Sequence, residues 1–411
     1  RGDPRAPGRD AAGGRRLEEG GLTGMIPLKY NVRNLRVRWV NTLLTVLGTG
    51  LVVWSSCAVF SMVEGLRHSL TISGDPLDLI VLRKGSSAET TGGFDATKAD
   101  DLATLGGLAR DEQGRPLAAP ELLNIPMAER IDGSWTNIIV RGVVPVSRAL
   151  RPHFRIVQGR DLEPGRGECI VSRSLARRFK GAAIGGILKV GEKESYRVVG
   201  LFTAGGSAAE SEAWADIKDV ARHMGREGTV SVVQLRAASE SDLERIKAAI
   251  DDETRFRLAA MRETEFFAQQ TQSSLFLKGV GTVIAVLLTF GAMFAAANTM
   301  YAAVAARTRE IGTLRALGFS RLDILLSFLG ESVLLCTLGG LLGLVATIPL
   351  GALTFGTSNF NTFAEMTVRF RFGPLVMAVA LAMTLAMGVF GGLFPALRAV
   401  RLDVIRALRE L

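Results

Sequence analysis

Four stretches of this chain contain no Asp, Glu, Lys or Arg: residues 43–63, 279–306, 332–363 and 373–397. Each reaches the ~20 residues that a helix needs to cross a ~30 Å hydrocarbon layer. Buried helices of a soluble core rarely exceed ~20 residues and seldom lack charge on every face. The runs therefore predict transmembrane helices over 43–63, 277–306, 326–355 and 373–394. Composition alone is less decisive. A formal net charge of +9 with 48% hydrophobic residues suits either a nucleic-acid or a membrane partner. Gathering the apolar residues into four runs assigns the chain to the lipid bilayer and leaves no nucleic-acid role.

The basic residues orient the spans. Lys29, Arg33, Arg36 and Arg38 precede the first; Arg307, Arg309, Arg315 and Arg321 lie between the second and third, against Glu310 and Asp323; Arg398, Arg401, Arg406 and Arg409 follow the fourth. Four spans put all three clusters on one side, and the positive-inside tendency makes that side the cytoplasm. Segment 64–276 then lies outside, as does loop 356–372, where Arg369 and Arg371 are outvoted. Cys57 and Cys336 fall in spans and Cys169 is alone in the large segment, so three small buried hydrophobes are expected rather than a bridge. His68, His153 and His223 are scattered, and no metal site is expected.

Residues 1–24 are rich in Gly, Arg, Asp and Pro, cannot bury enough surface to offset ordering, and are expected to be disordered. Met25 reads as a natural beginning. Over 25–42, Leu28, Val32, Leu35 and Trp39 share one helical face beside a stripe of Lys29, Arg33 and Arg36, the pattern of a cytoplasmic interfacial helix. From 64 to 276 the pattern shortens: "DLIVLRKG", "NIIVRGV", "FRIVQGRD", "ECIVSRS", "YRVVGLF" and "SVVQLRA" read as strands, "SRSLARRFKG" (stopped by Gly181) and "SESDLERIKAAIDD" as helices. The fold class is an α-helical membrane protein with four transmembrane helices, one plus three, and an extracytoplasmic α+β domain inserted between the first two. The turn-rich stretch 85–136 separates two groups of strands and predicts a lobed domain.

Segment 307–325 carries more than a connection requires. Ile311, Leu314 and Leu317 continue helical spacing beyond Tyr301, so the second span is expected to emerge as an amphipathic helix. Gly318 is a natural stop, and Ser320 with Asp323 has the form of a helix N-terminal box. The result is a helix, a break and a second helix: a compact basic knob with apolar residues on it. Within the spans, Asn298 is expected to bond a neighbouring helix or its own backbone. Gly339, Gly343 and Gly391 permit close packing, inside one subunit or between two. Glu331 opens the third uncharged run near its edge, where a carboxylate is cheaper than at mid-membrane.

At these residues the chain resembles a known family. "ARTREIGTLRALGFSRLDILLSFLGESVLLCTLGGLLG" resembles the FtsX-like permease domain of ABC transporters of the MacB, LolC and FtsX type. "FPALRAVRLDVIRALRE" resembles that family's C-terminal segment, with Val404 where the family often has Pro. "GRDLEPGRGECIVSRSLARRFK" with "ILKVGEKESYRVVGLF" resembles its MacB-like extracytoplasmic core. The resemblance implies a permease subunit in the cell inner membrane, paired with a second permease, identical or different, and with a separate ATP-binding subunit on the cytoplasmic face. It further implies that Arg307, Arg309, Glu310, Ile311, Leu314, Arg315 and Leu317 form the element that couples to the ATPase. Family members move lipoproteins, peptides or drugs, with a periplasmic adaptor as a further partner; the alternative is a scaffold that regulates a cell-wall hydrolase without moving cargo.

Independently, the sequence contains no G-x-x-x-x-G-K-[ST], so the chain is expected to bind no cofactor itself, ATP and Mg2+ entering through the partner ATPase. No G-x-S-x-G or H-E-x-x-H is present either, and no catalytic residue is expected. The topology is checked by labelling: a thiol reagent confined to the exterior should modify a cysteine placed at Ser195 and spare one placed at Thr313.

Overall fold

In the computed structural model the described residues are 39–402 except 87, 152, 193, 254–256 and 359–363. The expected tail at 1–24, the interfacial helix up to residue 38 and Val404 lie outside them. In chain order the elements begin with helix α1 (Trp39–Thr71), strands β1 (Asp78–Arg83) and β2 (Phe94–Asp95), helix α2 (Ala96–Ala103), and strands β3 (Ala118–Asn124), β4 (Met127–Glu129), β5 (Trp135–Asn137) and β6 (Ile139–Val143). Next come β7 (Arg155–Gly159), β8 (Glu168–Ser172), α3 (Arg173–Ala176), β9 (Ile187–Val190), β10 (Glu194–Thr203), β11 (Glu212–Asp216), α4 (Ile217–Met224), β12 (Thr229–Val230), β13 (Val232–Arg236), α5 (Glu240–Asp252) and β14 (Leu258–Arg262). The chain continues through α6 (Glu263–Ala306), α7 (Thr308–Ala316), α8 (Arg321–Thr347), β15 (Thr354–Ser358), β16 (Glu365–Arg369) and α9 (Pro374–Val400).

Two compact units result: one from the residues up to Trp54, Val286–Val345 and Val379 onward, the other from Ser55–Ala285 and Ala346–Ala378. Helices α1, α6, α8 and α9 each contain a segment long and apolar enough to cross a membrane. Each begins or ends beyond its charge-free stretch, because charge marks the edge of hydrocarbon and not the end of a hydrogen-bonded ladder. Helix α6 is the clearest case: it starts at Glu263 rather than near 277. Helix α8, however, stops at Thr347, short of the expected 355, where Pro349 lies in a 3-10 turn that leads into β15. In the first unit, glycines bring helices close. A Cβ on Gly339 would collide with Val46 and Thr49 of α1, one on Gly343 with Gly50 and Val53, and one on Gly391 would press on Ala296 of α6. The small residues thus serve contacts within the chain. Asn298 instead lies on an exposed face.

The second unit holds a 12-stranded sheet in the order β14-β1-β13-β3-β6-β11-β8-β10-β9-β4-β5, with β7 added on β10. Its pairs are antiparallel except β6 with β11 and β8 with β10. Several hydrophobic clusters cover it, two of them large. One gathers Val140, Val171, Tyr196, Val198 and Val220 around the centre of the sheet; the other gathers Leu79, Leu102, Leu235, Leu243 and Ile250 under α2 and α5. Both groups of strands join one continuous sheet in one compact unit, and stretch 85–136 is no mere separator: it contributes β2, α2, β3, β4 and β5. Strand β3 sits between β13 and β6 although Pro120, opposite Val233, has no N–H to give to a ladder. The "SRSLARRFKG" helix is also shorter than expected. Ser172 caps it by accepting from the Leu175 amide, but it ends at Ala176, well before Gly181. The loop expected at 356–372 contains strand pairing, β15 with β16. All three cysteines are buried thiols, and burial pushes Cys169 far up.

A buried arginine in this unit gathers several carboxylates. Arg141 on β6 donates to Glu212 through Nε (2.8 Å) and Nη2 (2.7 Å), and through Nη1 to Glu121 (2.8 Å) and Glu89 (3.0 Å). Arg151 donates to both oxygens of the same Glu121 and lies 5.0 Å over the Trp214 ring. Where α6 begins, Glu263 accepts from Gln234 Nε2 and from the Asp75 amide, both at 2.9 Å. Burial, with the nearby Asp78 carboxylate, pushes Glu263 up to about 8; burial pushes Asp78 itself up to about 6 despite its fork with Arg236. A carboxyl that holds its proton more tightly when folded stabilises the fold at low pH, and that contribution is lost as pH rises through the folded value. The thermal midpoint of the inserted domain, followed by near-UV circular dichroism on the full chain in detergent, should therefore fall from about pH 5 to about pH 8, and Glu263→Gln should flatten the part above about pH 6.

Candidate functional site

The segment joining α6 to α8 is built from inside outward. Helix α6 stops at Ala306 and does not continue as one amphipathic rod, which corrects the expectation from spacing. Arg307, with φ −115° and ψ 16°, breaks it before α7. The physical reason is the side chain. Arg307 turns into the bundle, where its Nη1 donates to Glu331 Oε2 at 2.9 Å and its Nη2 to Oε1 at 3.3 Å, both residues being buried. An ion pair withdrawn from water persists only when both partners are satisfied, and this two-pronged geometry does so.

One turn further on, Ile311 packs on Met300, Val304, Ile324, Phe328, Leu335, Ala396 and Ala399, drawn from α6, α8 and α9. Arg307 and Ile311 are thus the roots of the knob and not part of its surface. Burial of Ile311 and Gly312 fixes which face of α7 looks outward. Arg309, Glu310 and Leu317 lie on that exposed face, and Leu314 and Arg315 are half-buried beside it.

The turn is tightly specified. Gly318 takes φ 99°, open to glycine and strained for other residues. Its amide donates to the Arg315 carbonyl and the Phe319 amide to the Leu314 carbonyl, both at 3.2 Å, closing the end of α7 in a Schellman motif. Ser320 then opens α8. Its Oγ accepts from the Asp323 amide at 3.1 Å, and Asp323 Oδ2 accepts from the Ser320 amide at 2.8 Å and the Ser320 hydroxyl at 2.6 Å. Each such cap is worth about 1 kcal/mol. Leu317 (62% exposed) and Leu322 (61%) stand on either side of the turn with Arg321, an apolar and basic surface on a rigid base. The Arg307–Glu331 pair was not read from sequence as a pair. Its signal was Glu331 itself, since an acid at the edge of an uncharged run needs a partner.

Four apolar helices, an α+β insertion after the first and a capped basic loop between the second and third define a multi-span membrane permease with a large extracytoplasmic domain. A model of the MacB-like periplasmic core domain matches residues 42–253, and one of the FtsX-like permease C-terminal domain matches 282–404. The chain belongs to the MacB/FtsX-type family of ABC transporter permeases. It is 27% identical over 410 residues to a macrolide export ATP-binding/permease protein MacB of Rhodospirillum rubrum, covering 93% of this chain and 60% of that protein. It is 26% identical over 405 residues to a pyoverdine export ATP-binding/permease protein PvdT of Pseudomonas entomophila, covering 91% and 58%. The chain thus spans about three fifths of the length of these curated relatives. The solved periplasmic region of MacB from Actinobacillus actinomycetemcomitans aligns over 49% of this chain and 94% of that one at 10% identity, with a TM-score of 0.37.

Removing one partner of a buried pair strands the other. Arg307→Ala and Glu331→Ala should each destabilise the bundle by about 3 kcal/mol, with the double variant losing clearly less than the sum, as a double-mutant cycle of unfolding in detergent would measure.

Proposed function

We propose that this chain is the membrane-embedded half of an exporter and transmits motion from an ATP-binding partner to its extracytoplasmic domain. The observation that carries this reading is the loop at 307–325. A mere connector needs neither a buried ion-pair root nor two consecutive caps, whereas a surface that is pushed must not deform. In this reading the loop faces the cytoplasm of a cell with the chain in its inner membrane. Leu317 and Leu322 enter a groove on the ATPase while Arg309, Arg315 and Arg321 meet acidic groups at its rim. Nucleotide closure of the ATPase pair then displaces α7, and α6 and α8 carry the displacement away.

A second permease, identical or different, completes the assembly. Asn298 shares an exposed stripe of α6 with Leu287, Phe290 and Phe294, and an amide there is better placed against another helix than against lipid. A periplasmic adaptor would receive the exported molecule. The names of the relatives, macrolide and pyoverdine export, support export as the direction of work over the regulation of a hydrolase.

The test separates surface from root. In the complex reconstituted with its ATP-binding partner, Leu317→Asp and Arg309→Ala, both at exposed positions, should reduce permease-stimulated ATP hydrolysis at least tenfold without moving the thermal midpoint. Ile311→Ala should lower the midpoint, since a buried Ile→Ala change costs about 2–5 kcal/mol. Full stimulation by both surface variants would exclude the loop as the docking element.

A further inference from the structure

The turn between the third and fourth spans is gripped from several sides. Strand β16 buries Glu365, Met366, Thr367 and Val368 in succession, an unusual pattern for a short hairpin strand, which ordinarily leaves alternate side chains in water. Met366 and Val368 join Leu70 of α1 in an apolar cluster with Leu66, Ala208 and Phe267. The Arg371 amide donates to the Ser61 carbonyl at 3.0 Å, and a Cβ on Gly65 would collide with the Arg369 carbonyl, so α1 lies directly against this strand. The Thr367 amide donates to Ser211 Oγ at 2.7 Å, just before β11.

Charge closes the grip. The Glu365 carboxylate, 3% exposed, accepts from Arg130 Nε at 2.9 Å, again from Arg130 Nη2, and from Arg178 Nη1. Arg178 Nη2 donates to Thr367 Oγ1. Backbone contacts on their own side hold the two guanidiniums close to one another. The Ile131 amide donates to the Arg178 carbonyl and the Lys180 amide to the Glu129 carbonyl, both at 2.9 Å, which ties the turn after β4 to the turn after α3. Two fixed like charges in a half-buried site repel, and one carboxylate between them answers both. Gly356 on β15 leaves the room: a Cβ there would fall on Glu365 and Arg178.

We propose that Glu365 is the positioning residue that fastens the β15–β16 hairpin, and with it the adjoining ends of α8 and α9, to the extracytoplasmic domain, so that ATP-driven movement reaches the domain through the third and fourth helices as well as through α1 and α6. The first half stands on the contacts alone; the second rests on the transmission reading above. Residues 346–378 fall in one compact unit with 55–285, as fastening requires.

The experiment has two arms, both on the full chain in lipid nanodiscs. In the first, hydrogen exchange is followed without nucleotide. Glu365→Gln should speed exchange of the β16 amides at least tenfold while β8, β10 and β11 keep their protection, and Glu365→Asp, which keeps the charge, should restore most of it. Should Glu365→Gln fail to fold, Gly356→Ala reaches the same pair from the other side and should give the same acceleration. Unchanged β16 exchange in the folded variants overturns the proposal. In the second arm, with the ATP-binding partner present, a non-hydrolysable ATP analogue should alter exchange at 374–378 in the native chain. Glu365→Gln should cut that response at least twofold with the ATPase rate unchanged. A full response in a loosened variant overturns the coupling half. A native chain with no nucleotide response anywhere overturns the transmission reading instead and leaves the fastening, judged by the first arm, intact.

Discussion

Hydrocarbon offers no hydrogen bonds, and every polar group placed in it must be answered from within the protein. The rest of this structure follows from how that demand is met. The four long helices close their own ladders, and threonine hydroxyls turn back on them: Thr49 Oγ1 donates to the Thr45 carbonyl and Thr384 Oγ1 to the Ala380 carbonyl, at 2.8 and 2.7 Å, whereas Ser56 and Ser332 keep buried hydroxyls without such a partner. Glycines let helices meet backbone to backbone, as at Gly343 against Gly50. Where a charge does enter the bundle, at Glu331, an arginine is turned inward to meet it, and that turn is what interrupts α6 and sets α7 on its own axis. The orientation of the exposed basic and apolar loop thus follows from neutralising one carboxylate.

The inserted domain obeys a different economy, since it is free to use water at its surface and charge within. Its sheet is continuous, but its interior is divided among several apolar clusters, the two largest of which lie at different stretches of the sheet. Saturated ionic groups knit elements far apart in sequence: Arg141 draws Glu89, Glu121 and Glu212 to one point, and Glu365 meets Arg130 and Arg178. Such networks add less stability than their bond count implies, because desolvation offsets most of the attraction. What they add is register, since each guanidinium accepts only one arrangement of partners.

The membrane architecture was legible because it is written in absences: no charge over 279–306 or 373–397 leaves few alternatives. The caps of the loop were legible too, since Gly318, Ser320 and Asp323 act on their immediate neighbours. Long-range pairing was not. Arg307 reads as a surface arginine until Glu331, beyond the loop and about three turns into α8, is brought beside it. Ile311 lies on a helical face whose burial depends on three other helices. Strand β3 was hidden by Pro120, and the β15–β16 pairing by its position in what composition shows only as a loop. Strands such as β11 (EAWAD) carry acids inward to arginines from other strands, so alternation gives no hint of them.

The three thiols lead somewhere else. Cys57, Cys169 and Cys336 are each sealed in apolar surroundings, and none is within a bridge. A domain destined for an oxidising compartment commonly relies on covalent cross-links, which tie its maturation to dedicated oxidases and isomerases. Here the strands and ion clusters suffice. The fold described thus asks for no oxidase or isomerase, and its three thiols lie out of reach of oxidants in the surrounding water.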